Sequence, residues 1–154
     1  MATIVSKYFG VLSYSVDSVV FFPTGLLAFE GNQHYVLISQ PASQPLSFLQ
    51  NLEEPELCFL VMPAAQVDPA FRLSLDSDSC VQLGLGAHAQ PAVEDLLCLA
   101  IVNLDEDGHA PTANLRGPLV INVPARRGVQ AVQYDADYSL RHPAPALHEV
   151  LFCS

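Results

Sequence analysis

The chain has 154 residues, 51% hydrophobic and only 14% charged, with 16 acidic against 6 basic side chains and a formal net charge of −10. Such a chain is too apolar for disorder and long enough to bury a core without disulfide or metal staples, so a single domain over 1–154 is expected. Nucleic acid and anionic membranes are bound through Lys and Arg; with Arg126–Arg127 the only adjacent basic pair, neither ligand is expected.

Met1–Lys7 has no basic stretch followed by a long apolar one, so no signal peptide is read. The apolar run from Val19 to Phe29 is broken by Pro23, Thr24 and Gly25 and falls short of the ~20 residues a spanning helix requires. A cytoplasmic location is expected. Strand-length runs rich in Val, Ile, Phe and Tyr follow one another: 19–22 up to Pro23, 34–39 up to Gln40-Pro41, and 57–62 up to Pro63. Three more lie at 97–104 before Asp105-Glu106-Asp107-Gly108, at 118–123 before Pro124, and at 128–133. Asp107-Gly108 is a tight-turn dipeptide, so 97–104 and 112–123 are expected to pair as a hairpin. Several runs are apolar throughout, which suits strands covered on both faces.

Helix signals are few. Pro45 with apolar Leu46, Leu49 and Leu52 predicts one short helix over 45–52, and Pro91–Leu96 a single turn. The core is placed at about 4–138, and Pro143 and Pro145 mark 139–154 as a surface arm. The fold class expected is mainly β with one or two short helices; a compact barrel and a sandwich fit the run lengths equally.

No chemistry-bearing motif survives inspection. Gly84-Leu85-Gly86-Ala87-His88-Ala89 has the spacing of a nucleotide-binding turn, but Pro91 and the next apolar run leave no room for the helix that would hold phosphate. Asp76-Ser77-Asp78 begins like a calcium loop, yet Cys80 and Val81 stand where a ligand and a glycine are required. The five histidines are scattered, and Cys58, Cys80, Cys98 and Cys153 read as reduced thiols in apolar surroundings. No catalytic residue, metal ligand or cofactor is assigned, and the chain is read as a non-enzyme.

Three stretches resemble the flagellar assembly factor FliW family. Phe22-Pro23-Thr24-Gly25-Leu26-Leu27-Ala28-Phe29-Glu30 is similar to its F-P-x-G-L-x-G-F-E, and 45–59 to its F-x-x-L-Q-S-L-E-x-P-x-L-A-F. Thr112-Ala113-Asn114-Leu115-Arg116-Gly117-Pro118-Leu119-Val120-Ile121-Asn122, with Gly128-Val129-Gln130 after it, is similar to T-x-N-L-x-A-P-I-x-I-N and a trailing G-x-Q. The matches span roughly 20–143 in order. Ala28, Asn51 and Cys58 depart from the pattern, and an alanine at 28 speaks against a positive φ there.

The resemblance tips the fold toward a barrel. It implies a partner-switching regulator that binds flagellin and the RNA-binding translational repressor CsrA, freeing flagellin messenger RNA until accumulating flagellin takes it back. The rival readings are a flagellin chaperone without a regulatory role and a small ligand-binding or enzymatic barrel; a monomer is expected when free. Partner contacts are placed on the acidic groups Glu53, Glu54 and Glu56 and Asp105, Glu106 and Asp107, whose field would repel RNA, and on Asn114. Pro23, Gly25, Pro118 and Asn122 are assigned to architecture: turns, a strand start or edge, and amides that satisfy backbone groups.

Overall fold

The computed structural model describes residues 1–85, 95–104, 110–134 and 136–144. Its strands are β1 (Ala2–Ser6), β2 (Gly10–Tyr14), β3 (Val19–Phe21), β4 (His34–Ser39), β5 (Ser47–Asn51), β6 (Cys58–Pro63), β7 (Leu96–Asn103), β8 (Thr112–Asn122), β9 (Arg127–Gln130) and β10 (His142–Pro143). Two short α-helices, α1 (Ala64–Val67) and α2 (Ser77–Gln82), and two 3-10 turns, Val16–Ser18 and Pro41–Ser43, complete the described elements. Strands β3 to β8 form an antiparallel meander, β9 turns back on β8, and β9 meets β3 in parallel at Phe21 and Arg127, which closes a ring of seven strands. A closed ring leaves no free edge within the barrel, and the sandwich alternative falls away.

The runs at 19–22, 34–39, 57–62 and 97–104 lie where expected, within a residue, and β7 pairs with β8 as the predicted hairpin. The helix expected over 45–52 is instead β5, paired with β4 on one side and β6 on the other. Its apolar spacing of three is accidental. Leu49 belongs to the barrel interior, Leu46 to a cluster outside it, and Phe48 meets Phe9 edge to face at 5.1 Å. Two complete ladders outweigh a weak local helix preference.

Every second residue enters the interior, where Val20, Phe22, Tyr35, Leu49, Val61, Leu99, Leu119 and Ile121 form one cluster. The other face of β6–β8 carries a second cluster, including Met62, Ala100, Val102, Ala113 and Leu115, covered by Ala64 of α1, by Phe71 and by Ala144. A third joins Val120 and Val129 to Leu83 at the end of α2. This double coverage is why β7 and the 118–121 end of β8 read as unbroken apolar runs.

Beside the barrel stands a hairpin, β1–β2, unforeseen in the sequence. Its five-residue strands carry little continuous apolar character. Ser6, at its tip, donates its hydroxyl to Oε1 of the fully buried Gln50 at 2.8 Å, and Lys7 N–H reaches the Pro55 carbonyl. The expected surface arm is partly sheet: His142 and Pro143 pair with Ala113 and Thr112, and Ala144 is buried. Residues 145–154 lie outside the described residues, as do 91–94 of the turn expected over Pro91–Leu96, whose last residue opens β7.

Candidate partner-binding surface

The loop between β5 and β6 carries Glu53, Glu54 and Glu56, all exposed. Asn51, wholly buried, organises it: Oδ1 accepts from Glu53 N–H and Glu54 N–H at 2.9 and 2.7 Å. Glu53 then folds back on the chain, Oε1 accepting from the backbone N–H groups of Gln33 (2.7 Å) and His34 (3.0 Å) while Oε2 lies 2.6 Å from His34 Nδ1. Partial burial works to raise the Glu53 pKa, but the hydrogen bonds from His34, Gln33 and Asn51 win and hold it below the ordinary 4.5. Glu53 is thus engaged inside its own loop, whereas Glu56 and most of Glu54, whose carboxylate accepts from Asn32 Nδ2 at 3.4 Å, face solvent.

A carboxyl whose folded pKa is depressed stabilises above its unfolded value and loses that contribution as pH falls through the folded one. Wild type is therefore expected to lose stability faster below about pH 4.5 than Glu53→Gln, which starts weaker at neutral pH. Urea midpoints taken across that range check this, and parallel curves for the two proteins would contradict it.

Asn114 lies where β8 slips against β7: Leu99 faces Leu119 but Ile101 faces Asn114, so 115–118 have no partners in β7. Its Oδ1 accepts from Arg116 N–H (3.0 Å) and Gly117 N–H (2.9 Å), groups that the slip would otherwise leave without β7 acceptors. Pro118 sits in this irregularity inside β8, not at a strand start or edge as expected; a bulge needs no ladder donor there. Asn122 donates from Nδ2 to the Leu83 carbonyl at 2.8 Å and ties β8 to the end of α2. Asp76, the first residue of the Asp76-Ser77-Asp78 stretch, caps α2 by accepting from Ser79 N–H.

The 23–30 loop turns at Gly25, φ 64°, where a Cβ would stand 2.5 Å from the Phe29 carbonyl oxygen. Pro23 offers its carbonyl to Gln33 Nε2 at 2.8 Å. Ala28 does take a positive φ, 72°, against the expectation from its side chain: the turn imposes the conformation, and alanine bears the strain. Between them Leu26 is buried while Leu27 is 61% exposed, its N–H held by Gln130 Oε1 at 2.9 Å. Two adjacent leucines give no sequence signal as to which faces out.

Further apolar surface gathers around the β1–β2 hairpin. Val5 and Val11 face each other across it, both exposed. Tyr8, Phe9, Phe48, Cys58 and Leu60 line an open cleft of about 360 Å³ between its tip and β5–β6. Cys58 and Cys98 are half-buried free thiols rather than fully buried ones; burial pushes them up to about 11 and about 12. Neither is a ready nucleophile at neutral pH. Among the described residues no cluster of His, Cys, Asp and Glu could hold a metal, and no helix is long and apolar enough to cross a membrane. Asp105, Glu106 and Asp107, and the glycine-rich pattern beyond Leu85, lie outside the described residues.

The FliW protein family model matches residues 3–144. The flagellar assembly factor FliW of Syntrophomonas wolfei is 31% identical over 140 residues, 91% of this chain and 86% of that protein. That of Natranaerobius thermophilus is 29% identical over 141 residues, 91% and 90% of the two chains. A crystal structure of the flagellar assembly factor FliW superposes with a TM-score of 0.82 at 26% identity, covering 92% of this chain and 96% of that one.

Proposed function

The chain belongs to the FliW family, and from that premise we propose that it is a non-enzymatic cytoplasmic regulator that binds flagellin and, by a separate engagement, takes CsrA off flagellin messenger RNA. Family membership across nearly the whole chain carries this reading. The chemistry of the surface supports it. Flagellin's terminal segments are amphipathic helices, and the aromatic cleft of Tyr8, Phe9, Phe48 and Leu60 suits the apolar stripe of such a helix. A protein of charge −10 bound to an RNA-binding partner repels phosphate. Screening limits that repulsion to about 8 Å at physiological salt, so the acidic groups must dock close to the RNA path. Glu54 and Glu56, with Asp105, Glu106 and Asp107, are assigned to that role; Glu53 acts by holding the β5–β6 loop that carries Glu54 and Glu56.

The test is fluorescence anisotropy of a labelled flagellin leader RNA bound to CsrA from the same cell. Adding this protein is expected to release the RNA, and adding flagellin to restore its binding. Release that flagellin does not reverse, or no release at all, contradicts the switch. Tight flagellin binding without any RNA response would leave a chaperone.

A further inference from the structure

The base-poor surface of this protein gathers half of its basic residues in one corner. Of six Lys and Arg residues, Arg116 and Arg141 line an open cleft of about 450 Å³ together with Tyr138, Ser139 and Leu140, and the backbone of Arg72 binds the Tyr138 hydroxyl. The cleft has a rigid frame. Arg116 sits in the β8 irregularity, its N–H donated to Asn114 Oδ1 and its carbonyl accepting from Gln133 N–H at 2.7 Å. Tyr138 stacks on the buried Phe71 at 4.7 Å, and its hydroxyl accepts from Arg72 N–H at 2.9 Å. Ser139 links the two walls: its carbonyl accepts from Leu115 N–H at 3.0 Å and its Oγ from Arg141 N–H at 3.0 Å. Among the described residues no carboxylate lies within ion-pair distance of Arg72, Arg116 or Arg141, and Asp68 lies 4.0 Å from His142, the residue after Arg141.

We propose that this cleft is a docking site for an acidic segment of a protein partner, a pair of Asp or Glu side chains received by Arg116 and Arg141 with an apolar residue between them against Leu140. Guanidinium forks match carboxylates in two-point geometry, and Leu140, 57% exposed, offers the apolar contact. A nucleic acid is the poorer occupant, because a chain of phosphates needs a basic stripe and this cleft is lined by two arginines, enough for a short carboxylate pair. The site deepens the protein-binding function proposed above and lies on residues distinct from both the aromatic cleft and the acidic loop.

The probe is an acetylated, amidated pentapeptide with two glutamates flanking a leucine, titrated into the isotope-labelled full chain and followed by NMR. Amide shifts at Ser139, Leu140 and Arg141 and at the Arg116 side chain are expected, with affinity about tenfold above that of the same peptide carrying glutamines. Arg116→Gln/Arg141→Gln is expected to abolish the difference while the rest of the spectrum stays in place. Arg141→Gln alone, at an exposed position, should reduce it without touching the β8 frame. Equal affinity for the two peptides, an undiminished response in the double variant, or tighter binding of inorganic phosphate at the same resonances would overturn the proposal. A failed RNA-release experiment would leave these outcomes as they stand, so the two readings fail separately.

Discussion

Replacing Gly128 with alanine is expected to cost about 3 kcal/mol of stability and, for a chain of this length, to lower the melting temperature by about 10 °C. An alanine Cβ at 128 would stand 2.5 Å from Cε2 and Cζ of Phe22, far inside contact distance. Phe22 has nowhere to retreat: it is fully buried and packs edge to face on Tyr35 at 5.3 Å. The strand itself has no slack either. Residue 128 lies on β9, which alone joins β3 to β8, and Phe21 N–H is bound to the Arg126 carbonyl at 2.9 Å. Thermal unfolding of Gly128→Ala measures the loss. Adding Phe22→Leu should cost less in that background than in wild type, because the smaller side chain relieves the overlap. A melting temperature within a degree or two of wild type would show that the ring is free to shift.

Gln50→Leu is expected to cost about 2–3 kcal/mol and to act on one part of the molecule before the rest. Gln50 is wholly buried on the face of β5 that meets the β1–β2 hairpin. Its Oε1 accepts the Ser6 hydroxyl, and its Nε2 donates to the carbonyls of Asn51 (2.9 Å), Pro55 (3.2 Å) and Leu57 (3.2 Å). Leucine fills the volume but leaves the Ser6 proton and part of three carbonyl shells without partners in a dry site. The hairpin's amides, such as those of Ile4 and Leu12, should exchange with solvent much faster than in wild type, while those of β7 and β8 quicken only as far as global stability falls. Uniform acceleration throughout would instead mean that hairpin and barrel open as one unit.

Both sites show why the barrel was only partly legible from its sequence. Val19–Phe22 and His34–Ser39 announce themselves by β-branched and aromatic content, and the runs at 97–102 and 118–121 because strands covered on both faces are apolar at successive positions. Gly25 was legible as a turn residue, and Asn122 as a polar group satisfying backbone, since the short amide beside an apolar run has few other uses. Segment 45–52 misled: leucines at 46, 49 and 52 share helical spacing, yet they serve three different surroundings that no periodicity encodes. The hairpin 2–14 was silent because only its inner side chains, Ile4 and Leu12 among them, meet protein, and β1 and β2 pair locally. Glu53 looked like its neighbours Glu54 and Glu56. Only the approach of Gln33 and His34, some twenty residues upstream, turns it inward.

What the sequence determined by itself is the composition of the two-sided strands, the turn at Pro23–Gly25, and the family to which 3–144 belongs. These are properties of residues and their immediate neighbours, where sterics and apolar content act over a few bonds. Tertiary structure alone decided that β9 closes on β3, that β5 is a strand, and that Arg116 and Arg141, 25 positions apart, share a cleft. Such outcomes depend on which distant surfaces are buried together, and burial free energy is set by the partner that covers a side chain as much as by the side chain itself.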